Sequence, residues 1–219
     1  MMEIEFLNWV RGPGMQIALA IFLIGMAYRL LENYLIGRAK MLADPKGDEW
    51  RHGVNTVWRR SSAHPNLTTR GHFTLVSGYI FHLAFLITLF FFAQHIEMFR
   101  SLIGFGWPAL PPLVITITAV LGIASLIAVL VHRITDPVKR MLSDFQDYLT
   151  WLLTFLPLIT GFLLITQSSL PYKGLLAAHI LSFELLLVAI PLTKLSHMIT
   201  VVVARWYNGA IAGYKGVQS

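Results

Sequence analysis

Cysteine is absent from the 219 residues. That excludes disulfides, thiolate-held iron–sulfur clusters and cysteine-ligated zinc within this chain. Charge is scarce. Only 13% of residues are Asp, Glu, Lys or Arg, about half of the ~25% usual in a soluble domain. A basic amino-terminal region is also missing. Glu3 and Glu5 stand where a cleavable signal peptide would carry Lys or Arg, so none is expected. No internal repeat or low-complexity segment is seen. What is plentiful is apolar side chains, 56% of the chain. They fall in runs long enough to cross the hydrocarbon layer, which takes roughly 20 residues. The expected fold class is therefore all-α. It is one integral membrane domain over residues 1–219, not a globular protein. The net charge of +6 is no nucleic-acid signal, because the basic residues crowd into particular loops.

Five spans are predicted, over residues 15–36, 73–96, 112–131, 148–167 and 175–203. Gly12-Pro13-Gly14 punctuates the start of the first, and Pro111-Pro112 opens the third. Pro157 and Pro191 are expected to bend the fourth and fifth. Near the end of the first span, Arg29 and Glu32 are three residues apart and can pair on one face. With five spans, the first and third loops and the carboxyl-terminal tail share one side, which carries twelve Lys and Arg. The other side has three: Arg11, Arg100 and Lys173. Positive loops stay in the cytoplasm. The N-terminus is thus expected outside and the C-terminus inside, in a multi-pass protein of the cell inner (cytoplasmic) membrane.

Two pairs of histidines stand out in or at the edge of the second and fifth spans. His72 and His82 are ten apart in the second; His179 and His197 are eighteen apart in the fifth. At about 100° per residue, eighteen steps are five full turns, so the last two share one side of a continuous helix. Antiparallel packing then sets His72 level with His197, and His82 level with His179. Two facing imidazoles in a bundle core are what a haem iron needs as axial ligands. Ser77-Gly78, between His72 and His82, leaves room for a flat macrocycle. Each histidine taken singly also suits a bland role, a hydrogen bond to a neighbouring helix. Zinc is a poorer candidate, since its short ligand spacings are missing.

Several marks together resemble the gamma subunit of respiratory nitrate reductase and its relatives, which are five-helix di-haem cytochromes b. In the first span Phe22-Leu23-Ile24-Gly25 precedes Arg29. The second has the ten-residue spacing of His72 and His82. In the fourth, Asp147 precedes Gly161-Phe162-Leu163-Leu164 by fourteen positions. In the fifth, Pro191-Leu192-Thr193-Lys194-Leu195-Ser196-His197 follows His179. The resemblance implies two haem b groups, one between His82 and His179 on the outer side and one between His72 and His197 on the cytoplasmic side. It also implies oxidation of quinol, such as menaquinol, near the outer leaflet. Electrons would pass to cytoplasmic iron–sulfur and catalytic subunits of a membrane complex, of the nitrate reductase or the heterodisulfide reductase kind. The first loop, longer and strongly basic, departs from the nitrate reductase pattern.

Other residues fill out the expectation. Glu184 is ionisable and within a span, a functional candidate by default; it would take a quinol proton or bond a neighbouring helix. His95, Glu97 and Arg100 cluster at the outer end of the second span, as a quinone-pocket wall or an ordinary interfacial rim. Arg29, Arg70, Arg133 and Lys194 are candidate partners for haem propionates, or membrane anchors. His52, His64 and His132 are read as surface or docking residues. Arg51 to Arg60, interleaved with Trp50 and Trp58, would enforce topology, touch anionic lipid or dock an acidic partner. Two rival functions remain: a proton or ion translocator using Glu184 and the histidines, and a haem-free membrane anchor.

Overall fold

The computed structural model describes residues 2–35, 42–62, 69–166 and 169–217. Every regular element among them is helical. Five stretches are long and apolar enough to cross a membrane: Glu3–Leu35, Gly71–Phe91, Pro112–Thr135, Phe145–Ile165 and Tyr172–Leu192. Only 17–39% of their most apolar windows is buried. Side chains such as Ile24, Leu83, Leu113 and Leu185 point outward, which suits hydrocarbon rather than water.

The first stretch is a helix with a flaw. Helix α1 (Met2–Trp9) passes through a π-helical turn, Val10–Gly14, into α2 (Met15–Leu35). Pro13 lies inside that turn. It has no N–H to donate, so a local widening of the helix is the expected response. The basic first loop contains a helix, α3 (Glu49–Arg59). Asp48 caps it, accepting from the backbone N–H of Trp50 and Arg51.

The second span ends earlier than its apolar run. Helix α4 (Thr69–Phe91) stops where Phe92 turns extended, and α5 (Ala93–Ile103) starts afresh. Gly104, at φ 84°, ends α5 in the left-handed conformation that favours glycine. Helix α6 (Pro112–Thr135) begins with Pro112 in the first turn. Short α7 (Pro137–Leu142) is capped by Asp136. Asp144 and Asp147 form a reciprocal capping box at the start of α8 (Phe145–Ile165).

The fifth span also stops short. Helix α9 (Tyr172–Leu192) ends just after Pro191, Thr193 is extended, and a 3-10 turn, Lys194–Ser196, leads into α10 (His197–Lys215). The arginine of the first span completes this end: Arg29 Nε donates to the Pro191 carbonyl at 2.9 Å. The Arg29–Glu32 pair read from the sequence is present, at 3.0 Å.

Helix α4 packs on α6, α6 on α8, α8 on α9, and α9 on α2. Small residues permit the close approaches. Gly122 lies against Ala84, Gly161 against the His179 ring and Gly25 against Pro191, where an added Cβ would come within 3.1, 3.0 and 2.6 Å respectively. Polar groups tie the same seams. Ser125 Oγ donates to the Ser77 carbonyl at 2.6 Å, and Trp151 Nε1 to the Leu126 carbonyl at 2.8 Å. Among the described residues, α4 and α9 are not packed closely on each other. A gap bridged by side chains therefore separates the second and fifth spans.

Candidate cofactor site

Imidazoles face each other across that gap. His82, on α4, has its ring centre 6.1 Å from that of His197, with planes 85° apart. His95, in the first turn of α5, has its ring centre 6.0 Å from that of His179 on α9, with planes 9° apart. Two imidazoles sharing one metal through bonds of about 2 Å have ring centres roughly 6 Å apart.

The other ring nitrogen of each histidine is already engaged. Nδ1 of His82 donates to the Gly78 carbonyl at 2.6 Å, and Nδ1 of His197 to the Lys194 carbonyl at 2.8 Å. Nδ1 of His95 points at the Thr88 and Leu89 carbonyls, at 3.0 and 3.1 Å. Nδ1 of His179 lies 3.1 Å from Thr160 Oγ1. The Thr160 hydroxyl donates to the Leu156 carbonyl at 2.7 Å, so it accepts from His179. A carbonyl or loaded hydroxyl at Nδ1 sets the Nδ1–H tautomer and leaves a lone pair on Nε2. That is how protein outer shells orient metal-binding imidazoles.

Space is available beside them. A Cβ added to Gly78 would meet nothing within 4 Å. His82 and His197 remain exposed although they face each other. Among the described residues no three His, Asp or Glu converge on a metal-sized site. The histidines come in twos, the number of protein ligands a six-coordinate porphyrin iron requires. The residues present fit a haem in each pair.

The pairing differs from the one expected. The expected pairs were His82 with His179 and His72 with His197. Instead the His82 ring meets His197, and the His179 ring meets His95, a residue expected in a quinone-pocket wall or an interfacial rim. The reason is the two helix breaks. The expected levels assumed unbroken helices over 73–96 and 175–203. The turn at Phe92 carries His95 back over α9, and the break at Thr193–Ser196 resets the level of His197. His72 lies ten residues before His82, near the start of α4, and is exposed.

The candidate propionate partners are engaged by the protein itself. Arg29 is held by Pro191 and Glu32. Lys194 Nζ lies 2.9 Å from Asp144 Oδ2 and 3.0 Å from Asp147 Oδ2. Arg133 reaches Asp147 at 3.4 Å and donates to Ser143 Oγ at 2.9 Å. The hydrogen bond from Lys194 holds the Asp144 carboxyl below the usual carboxylate range, and Asp144 in turn raises Lys194. The side chain of Arg70 and all of His64 lie outside the described residues.

The three quinol-site candidates have different neighbours. His95 faces His179, with Phe92 edge-on at 5.2 Å. Arg100 pairs with Glu97 at 2.9 Å, both exposed. Glu184 is buried against the π turn of the first span. A Cβ on Gly14 would be 3.0 Å from Glu184 Oε1, and that oxygen has no hydrogen-bond partner among the described residues. Two further histidines serve packing: the His132 ring lies edge-on to Phe73 at 4.7 Å, and His52 fits over Gly213. The sequence offered no direct signal for His95 as a partner of His179. Thirteen residues separate it from His82, and on an unbroken helix the two would not share a face.

No family model and no solved structure matches the chain. A protein of Nitratidesulfovibrio vulgaris (strain Hildenborough) is 32% identical over 137 residues, and its name, simply "Protein", states no activity. The likeness covers 63% of this chain and 60% of that relative, so less than two thirds of the relative's length is spanned.

Proposed function

We propose that this chain is a di-haem cytochrome b subunit that moves electrons across the membrane between quinol and a cytoplasmic partner. The observation that carries the reading is the two cross-gap imidazole pairs, 6.0 and 6.1 Å between ring centres, each ring with its Nδ1 engaged. His82 with His197 would hold one haem b, and His95 with His179 the other. Haem supplies reversible one-electron chemistry, and two protein ligands leave the iron no open position for oxygen or substrate. The carbonyl and hydroxyl acceptors at the four Nδ1 atoms keep the rings in one tautomer and orientation. Gly78 leaves room for a flat group, and Gly161 lets α8 seat the His179 ring.

The direction of flow and the partner rest on the resemblance and on the loop charges. Quinol would be oxidised near the outer leaflet, beside His95 and His179. Electrons would leave on the basic, cytoplasmic side for an iron–sulfur subunit, with the N-terminus outside. Glu184 is the observation that favours a second reading, proton or ion translocation: a buried carboxyl oxygen without a partner among the described residues, inside a membrane-spanning stretch.

The absorption spectrum of the purified protein tests the choice. The di-haem reading expects a reducible Soret and α band and two haems per chain by haemochrome assay. A colourless, correctly folded preparation refutes it in favour of the translocator or a haem-free anchor.

A further inference from the structure

Helix α3 and the second half of α10 form a lobe of their own. They run antiparallel, from Gly47 beside Gly213 to Ser61 beside Arg205. Gly209 and Gly213 make the seam: a Cβ there would come within 2.4 Å of Thr56 Oγ1 and 2.6 Å of His52 Cβ. The side of α3 bearing Gly53 and Thr56 is buried in this seam. The opposite side is open. Trp58 is 75% exposed there; Trp50, 68% exposed, borders the seam, its ring edge-on to Trp206 of α10 at 5.7 Å. Arg51, Arg59 and Arg60 are also exposed, and no described carboxylate pairs with any of the three.

A second observation connects the lobe to the cofactor site. Ser61, just past the end of α3, accepts a hydrogen bond from the Tyr79 hydroxyl at its carbonyl, and its own Oγ accepts from Arg205 at 2.9 Å. Tyr79 is three residues before His82, one turn of α4 away. The open face is therefore joined by one side chain to the helix turn that carries an imidazole of the His82–His197 pair.

We propose that this face of α3 is the docking surface for an acidic electron-carrier protein or subunit. Trp and Arg are the residues most enriched where protein interfaces concentrate their binding energy. Three cations that pair with no described carboxylate select an acidic face and speed its approach. Anionic lipid is the weaker fit. The outward face sets Trp58 among Arg51, Asn55 and Arg59, where an interfacial helix presents a continuous apolar side. That the partner carries electrons rests on the function proposed above; that it is acidic does not.

The test uses the full chain in phosphatidylcholine nanodiscs and an acidic plant-type [2Fe–2S] ferredoxin as the probe. Binding is expected to weaken roughly tenfold in Arg51→Glu/Arg59→Glu and to lose much of its salt dependence. Trp58→Ala should also weaken it, with the salt dependence kept. Affinity unchanged by charge reversal overturns the proposal. So does a blue shift in Trp58 emission, absent in Trp58→Phe, when phosphatidylglycerol replaces phosphatidylcholine, since the face then belongs to the lipid surface. The haem spectrum of the same discs is read separately. Bound ferredoxin without haem would sink the electron-transfer function and leave the acidic docking surface standing; haem without charge-sensitive binding would do the reverse.

Discussion

The rings of His95 and His179 lie 6.0 Å apart with planes within 9° of parallel, although one belongs to a short helix after the second span and the other to the fifth. The contact exists because Phe92 breaks the apolar run and turns the chain back. It sets the ring of His95, rather than that of His82, beside His179.

This pairing distinguishes the structure from the simple spacing argument in one set of variants. His95→Ala and His179→Ala are each expected to lose one and the same haem. His82→Ala and His197→Ala should lose the other, and His72→Ala should keep both. Haem content and low-temperature α-band spectra of the five proteins check this. Loss of a haem in His72→Ala, with His95→Ala intact, would restore the pairs expected from the sequence.

The open space at Gly78 makes a separable case. Gly78→Leu adds a side chain where nothing lies within 4 Å, so the fold should tolerate it. The same side chain would occupy the gap beside His82. The expected result is an unchanged melting temperature in the haem-free form and loss of the haem between His82 and His197. Full haem content would show that the gap is not where the macrocycle sits.

Gly209 is the opposite situation. A Cβ there meets the His52 backbone carbonyl at 2.5 Å, and a backbone atom cannot rotate away. Gly209→Ala is expected to destabilise the α3–α10 seam by about 1–3 kcal/mol. Hydrogen exchange should quicken for the amides of Glu49–Arg59 and leave the spans unchanged. Protection equal to wild type would contradict the close seam.

Lys194 between Asp144 and Asp147 produces a pH dependence whose sign follows from the two shifts. Asp144 is lowered by the hydrogen bond from Lys194, so its contribution is present above the unfolded carboxylate value of about 3.9 and lost as pH falls through the folded value. Lys194 is raised by Asp144, so its contribution is complete below about 10.4 and lost as pH rises through the folded value. Both groups are exposed, and the effect is small because water screens them. Lys194→Met should melt slightly below wild type at pH 7, the difference closing below about pH 4. A difference constant from pH 7 to 3 would rule out the ion cluster as its cause.

Glu184 separates volume from charge. Glu184→Gln keeps the shape against Gly14 and Trp9 and removes the possibility of a buried anion, so stability should stay within about 1 kcal/mol. Glu184→Ala removes packed atoms and should cost about 2 kcal/mol or more. Thermal unfolding in detergent measures both. A Gln variant as unstable as the Ala variant would mean that the carboxylate itself is required.

Much of the fold was legible from local composition. Apolar run length located five spans, because backbone groups in hydrocarbon must bond within their own helix. The spacing of Arg29 and Glu32 anticipated their ion pair; Pro191, expected only to bend a span running to residue 203, instead lies at its end. The amphipathic α3 inside the basic loop was missed. Its charge density read as a solvated loop, and the glycines that receive it lie far away in the chain, on α10.

The sequence by itself therefore determined that this is a five-span helical membrane protein, with its basic residues gathered in particular loops and histidines in its second and fifth spans. Those properties depend on residue type and helical period alone. Which histidines meet was decided by tertiary structure. Two helix breaks, at Phe92 and at Thr193–Ser196, change the depth and azimuth of every residue beyond them, and a helical wheel drawn on unbroken spans carries neither shift.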